Sequence, residues 1–429
     1  MKTIRYALLS LLLLPLTQAG ELDALARDYV DLVLAIGEHD PAYVDAYYGP
    51  KEWPAAVKQR GWTLVDVDKK ITALHTKVSS VRVSSSDALL ALRKQYLQKQ
   101  LRAMTMRIAM LKGDIPKFDQ ETAVLYDAVS PHYERAHYES LLGNLDTLLP
   151  GKGSLVDRVN AFRAQLVIPR DKLKAVMDAA IAGCRERTLQ HIALPEGENF
   201  KLEFVTDRPW SGYNWYKGNY QSLIQINVEF PIYIDRAVDL GCHEGYPGHH
   251  TYNVLLEQKL VKERGWIEFS IYPLFSPQSM MAEGSANYGI VMAFPGDTRL
   301  QFERDKLYAI AGLNPALAEK YRALQNTLSQ LSYADNEAAR NYLDGNASKQ
   351  QTIDWLINVN LYPIEKAPQR IRFYDANRGY VINYNLGRDL IGQYLDRKVG
   401  DAGADETEQL RWKLFTDLLS SPQLPSALK

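Results

Sequence analysis

Gly241-Cys242-His243-Glu244-Gly245-Tyr246-Pro247-Gly248-His249-His250 gathers three of the chain's eight histidines beside a glutamate. An H-E-x-x-H run on a helix makes a zinc site because residues four apart share a face. Both imidazoles then reach one Zn2+, and the intervening Glu lies beside a water on that ion. Here the position four after His243 is Pro247, which offers no ligand atom. On an unbroken helix His249 would point ~240° away from His243, and His250 would share its face but lie ~10 Å along the axis. Pro247 lacks the N–H that would bond the carbonyl of His243, and Gly248 reaches backbone angles that other residues avoid. The spacing therefore predicts a break or bulge at Pro247-Gly248, and the stretch reads as H-E-x-x-H with Pro-Gly inserted before the second His.

Just upstream, strand character concentrates. Residues 200–205 alternate Phe200, Leu202 and Phe204 with Lys201 and Glu203, and residues 223–230 alternate Ile224, Ile226, Val228 and Phe230 with Gln225, Asn227 and Glu229. Between them lies an aromatic loop from Arg208 to Tyr220. Elsewhere the apolar spacing is helical: 21–37, 87–112 behind a Ser84-Ser85-Ser86 cap, 154–167, 170–190, 279–294, 301–333, 386–397 and 405–419. The fold class expected is mainly α with a small β-sheet: one large domain over 20–429, with the sheet at about 200–230 and metal-site helices at about 232–294.

Lys+Arg number 50 against 51 Asp+Glu, so no basic field attracts nucleic acid or an anionic membrane. With 46% hydrophobic residues and only two Cys, the chain is neither disordered nor a disulfide scaffold. Residues 1–19 read as a signal peptide: Lys2 and Arg5, an apolar run from Ala7 to Leu16, then Thr17-Gln18-Ala19 before Gly20. No Cys lies near the cleavage point for a lipid anchor, and no later stretch reaches ~18 uninterrupted apolar residues, so the mature chain is expected in the periplasm or medium. An oxidising compartment leaves a Cys184–Cys242 disulfide open. Cys184 nevertheless extends the apolar helical series Leu173, Val176, Met177, Ala180, Ile181, which favours a buried free thiol.

His243-Glu244-Gly245-Tyr246-Pro247-Gly248-His249-His250, together with Ala282-Glu283-Gly284-Ser285-Ala286-Asn287-Tyr288, resembles the bacterial family catalogued as domain of unknown function 885. Tyr47-Tyr48-Gly49-Pro50 and Tyr384-Asn385-Leu386-Gly387 are lesser matches, and Ser285 stands where the family usually has an aromatic. The resemblance implies a zincin-like metallopeptidase architecture, distantly similar to the carboxypeptidase Taq group. It implies His243, His249 and Glu283 as metal ligands, Glu244 as general base and Tyr384 as a hydrogen-bond donor to the transition state.

Residue chemistry is consistent with those roles. Two neutral imidazoles and one carboxylate leave a coordination position for water, as catalytic zinc needs. Glu283 stands among Met280, Met281, Ala282, Gly284 and Ala286, where a carboxylate needs a partner, and Asn287 is placed to orient it. His250 is a candidate substrate contact, or a ligand in place of His249. The strand at 224–229, with Asn227 in it, is a candidate to pair with an extended peptide. Arg378 and Arg388 are candidates for a terminal carboxylate. The function expected is a zinc-dependent peptidase acting on a peptide or peptide-like substrate. A metal-dependent hydrolase of non-peptide amides or esters, or a noncatalytic binding protein with a relic site, are the competing classes.

Overall fold

The computed structural model describes residues 18–429 apart from 85, 209 and 401–403. The expected signal peptide, except for its last two residues, lies outside them. The chain is mainly helical with two small sheets. Strand β1 (Val44–Tyr47) pairs antiparallel with β5 (Ile271–Pro273), and β2 (Asn199–Val205), β3 (Gly212–Gly218) and β4 (Gln221–Asn227) form a second sheet in the order β2-β4-β3. No described helix is long and apolar enough to cross a membrane.

Two apolar clusters organise the packing. One joins the helices Gln18–Gly37, Leu64–Ser80 and Ala88–Leu111 to the C-terminal helices; the other joins Arg135–Leu148, Leu155–Ala164, Leu173–Leu189 and Ala318–Leu331 to the three-stranded sheet. The helix Pro277–Ala293 feeds both, giving Met280, Met281 and Met292 to the first and Ile290 and Ala293 to the second.

Three expectations change. The aromatic loop contains a strand: Asn214 and Tyr216 are buried on one face of β3 while Tyr213 and Trp215 share the other, the period-2 pattern of half-buried β structure. This puts β4 at the sheet's centre, parallel to β2 and antiparallel to β3. The helix expected over 301–333 is interrupted. Gly312 takes a left-handed φ of 71°, Asn314 accepts from the Ala316 N–H, and Pro315 starts a new turn before the helix Ala318–Leu331. The helix Ala88–Leu111 is capped by Asp87, whose Oδ1 accepts from the Leu90 N–H at 2.9 Å, and not by the serines before it.

The two cysteines are also joined. Cys184, on the helix Leu173–Leu189, is disulfide-bonded to Cys242 with Cα atoms 5.4 Å apart. The apolar face of Cys184 had favoured a free thiol, but that face packs on the His-Glu segment and brings the second sulfur to it.

Candidate metal centre

The helix Ile234–Leu240 passes at Gly241 into one wide π-turn, Gly241–Gly245, which carries His243 and Glu244. The turn ends at Tyr246, the Tyr246–Pro247 bond is cis, and a new helix, His249–Leu256, begins. Gly248 makes this reversal sterically feasible: its N–H bonds the Cys242 carbonyl at 2.9 Å, and a Cβ there would collide with the carbonyl oxygens of both Cys242 and His243. The break expected at Pro247-Gly248 therefore turns the second imidazole back toward the first. The rings of His243 and His249 meet edge to face, with centroids 4.6 Å apart.

Glu283 comes from the buried helix Pro277–Ala293. Its Oε2 lies 3.2 Å from His243 Nε2 and 3.6 Å from His249 Nε2, and one ligand atom from each of the three residues falls within 4.8 Å of the others. Tyr380 donates its hydroxyl to Glu283 Oε1 at 2.8 Å, whereas the buried Oε2 receives no hydrogen bond. An orphaned carboxylate oxygen facing two imidazole nitrogens is a set of converging lone pairs that a cation satisfies, and two nitrogens with one oxygen suit Zn2+. Burial alone would raise the Glu283 carboxyl; the two imidazoles beside it, His249 and His243, outweigh burial and hold the group well below the usual carboxylate range.

Asn287 orients His243, where the sequence had suggested Glu283. Its Oδ1 lies 2.9 Å from His243 Nδ1, and its Nδ2 donates to the Tyr384 carbonyl at 2.9 Å. Fixing Nδ1 in this way presents Nε2 to the cluster. Glu244 is 5% exposed, and its carboxylate makes no hydrogen bond among the described residues; Asn214 instead donates to its backbone carbonyl at 2.7 Å. A Cβ at Gly212 would sit 2.8 Å from Glu244 Oε1, so β3 passes directly against the carboxylate. Burial chiefly, with help from Glu283 and Asp45 and against His249 and Arg236, pushes the Glu244 carboxyl up to about 7. Tyr384 stacks edge-on to Tyr380 at 5.8 Å, and its hydroxyl makes no hydrogen bond among the described residues. Burial and the charges of Glu283, Glu244 and Asp45 keep it protonated.

The other candidates are engaged elsewhere. His250 is fully buried, with Nδ1 2.8 Å from Ser222 Oγ and Nε2 3.0 Å from Glu198, and it braces the second helix without facing the cluster. Asn227 pins the loop before β3, donating to the Arg208 and Trp210 carbonyls at 2.9 and 3.1 Å. With β2 and β3 on either side, β4 has no free edge for a peptide, and the edge strand beside Glu244 is β3. Arg378 is committed to Glu121 at 2.7 Å, and Arg388 to Asp389 and Ser329, both at 2.8 Å.

Sequence reasoning missed Tyr380 and Asp45. Tyr380 lies in a donor-dense stretch in which only Tyr384 carries the Tyr-x-x-Gly pattern. Asp45 had only the neighbouring Tyr47-Tyr48-Gly49-Pro50 to point to it.

No protein-family model and no curated protein matches the chain. Among solved structures it is similar to the putative lipoprotein from Colwellia psychrerythraea, at 15% identity and a TM-score of 0.52 over 96% of this chain and 75% of that one. It is similar also to a putative lipoprotein of unknown function from Shewanella oneidensis (13%, 0.45, over 86% and 76%) and to the M32 carboxypeptidase from Deinococcus radiodurans R1 (11%, 0.37, over 96% and 93%). The first of these likenesses establishes the shared fold, a mainly helical chain with a small sheet.

Proposed function

We propose that the chain is an exported zinc-dependent peptidase of zincin-like architecture, with His243, His249 and Glu283 as ligands. The observation that carries this reading is the unpartnered Glu283 Oε2 facing two imidazole nitrogens, next to a buried, unbonded Glu244. Zinc held there supplies Lewis acidity toward a water and a scissile carbonyl. Glu244, with its carboxyl near neutrality, is matched to take a proton from the attacking water and to return it to the leaving amine. Tyr384, protonated and unbonded, offers its hydroxyl to the developing oxyanion. Gly212 and Tyr213, at the start of β3, flank the position a peptide backbone would take beside Glu244. Export agrees with the Lys2/Arg5-led apolar leader and with the disulfide.

The test joins metal content to turnover. Purified protein should carry about one zinc per chain, as a site of two imidazoles and a carboxylate requires, and His249→Ala or Glu283→Ala should lose it. Glu244→Gln should keep the zinc and lose on the order of 10²–10⁴ in kcat. Full activity in that variant, or a wild-type chain with no affinity for divalent metal, sinks the reading.

A further inference from the structure

Among the described residues, no cationic side chain forms an ion pair with Asp45. The register of β1 on β5 slips between Val44 and Ala46, so Asp45 is the extra residue of a bulge, a device that re-aims a side chain. Its Oδ1 accepts from the hydroxyl of Tyr213, and among the described residues its Oδ2 makes no hydrogen bond. Tyr213 follows Gly212, which lies against Glu244, so the chain of contacts from Asp45 through β3 ends at the candidate base. Asp45 is also close enough to His249 and Glu283 for their charges to act on it.

The same strand closes the flank of β3. Asp45 holds Tyr213 at one end, while Tyr48, just past β1, packs edge-on to Tyr216 at 5.2 Å and lies where a Cβ on Gly218 would meet it at 2.8 Å. An extended peptide entering beside Gly212 and Glu244 therefore meets Asp45 at Tyr213, where β1 begins to cover β3. A chain end brought against this unpaired carboxylate is matched by an ammonium, whereas a terminal carboxylate would be repelled by Asp45.

Resting on the peptidase reading, we propose that Asp45 binds the protonated α-amine of the substrate, so that the enzyme takes peptides by their free amino terminus. The test digests a defined peptide library, and the same library N-acetylated, with zinc-loaded wild type, Asp45→Asn and Tyr213→Phe, reading cut positions and kcat/KM by mass spectrometry. Wild type should cut free peptides near the amino terminus and prefer them by roughly a hundredfold. Asp45→Asn should compress that preference to below about tenfold, and Tyr213→Phe, which keeps the carboxylate, should retain it. Equal cleavage of both libraries, a preference unchanged in Asp45→Asn, or an equal collapse in Tyr213→Phe overturns the amine site while leaving a peptidase. Zinc-loaded protein that cuts neither library removes the peptidase reading itself, and the amine site with it.

Discussion

Glu244 is expensive to keep as a carboxylate. Buried and, among the described residues, without a hydrogen-bond donor, its carboxyl is raised from an ordinary value of 4.5 to about 7, so the folded protein holds that proton more tightly than the unfolded chain does. At low pH both states are protonated and nothing is lost. As pH climbs from 4.5 through 7, folding must accommodate a charge the interior resists, and stability drops by roughly 3 kcal/mol. In metal-free protein, Glu244→Gln should therefore match wild type near pH 4.5 and unfold at a distinctly higher temperature at pH 8. An equal melting temperature at both pH values would mean the carboxylate is not desolvated. His243, Glu244 and Gly248 were legible in the sequence because spacing alone exposes a problem that only a chain reversal solves. Asp45 was not: its placement depends on a bulge against a strand more than two hundred residues later, and no local pattern encodes that pairing.

Among elements, the helices Pro277–Ala293 and Ile382–Val399 meet through glycines. A Cβ on Gly284 would lie 2.5 Å from the Gly387 carbonyl carbon, and one on Gly387 would lie 2.8 Å from Gly284 Cα, so backbone touches backbone. This gives a physical reason for Glu283-Gly284 and Tyr384-x-x-Gly387 to occur together. The glycines let Asn287 reach the Tyr384 carbonyl and leave Glu283 within reach of the Tyr380 hydroxyl. Gly284→Ala should cost about 1–3 kcal/mol through overpacking and weaken zinc binding as the helices part. Gly143→Ala, in a helix with open space around it, should be neutral or mildly stabilising. Calorimetry with zinc titration separates the two, and a harmless Gly284→Ala would show that the crossing has slack. Helix existence was readable from apolar periodicity. The interruption at Gly312-Leu313-Asn314-Pro315 and the strand character of 212–218 were readable too, had turn chemistry and alternation been weighed above the surrounding pattern.

At the scale of the molecule, the ligands come from different packing units. His243 follows Cys242 in the cluster built on the middle helices, whereas the Glu283 helix ties that cluster to the N- and C-terminal one. On the proposed reading, an ion shared by these residues would fasten the two clusters together. Zinc at a hundredfold excess over its Kd should add about 2.7 kcal/mol to stability, and a chelator should lower Tm by several degrees. A Tm indifferent to chelation would place the ion elsewhere or nowhere. The Cys184–Cys242 bond sets a condition on the history of the chain. A polypeptide that meets an oxidant before it meets zinc arrives with the turn bearing His243 already fastened. One that meets the ion first offers it two thiolates, the softest donors in the sequence, beside that histidine. The order of these two encounters decides whether the first ion meets free thiols beside the turn or sulfurs already joined to each other.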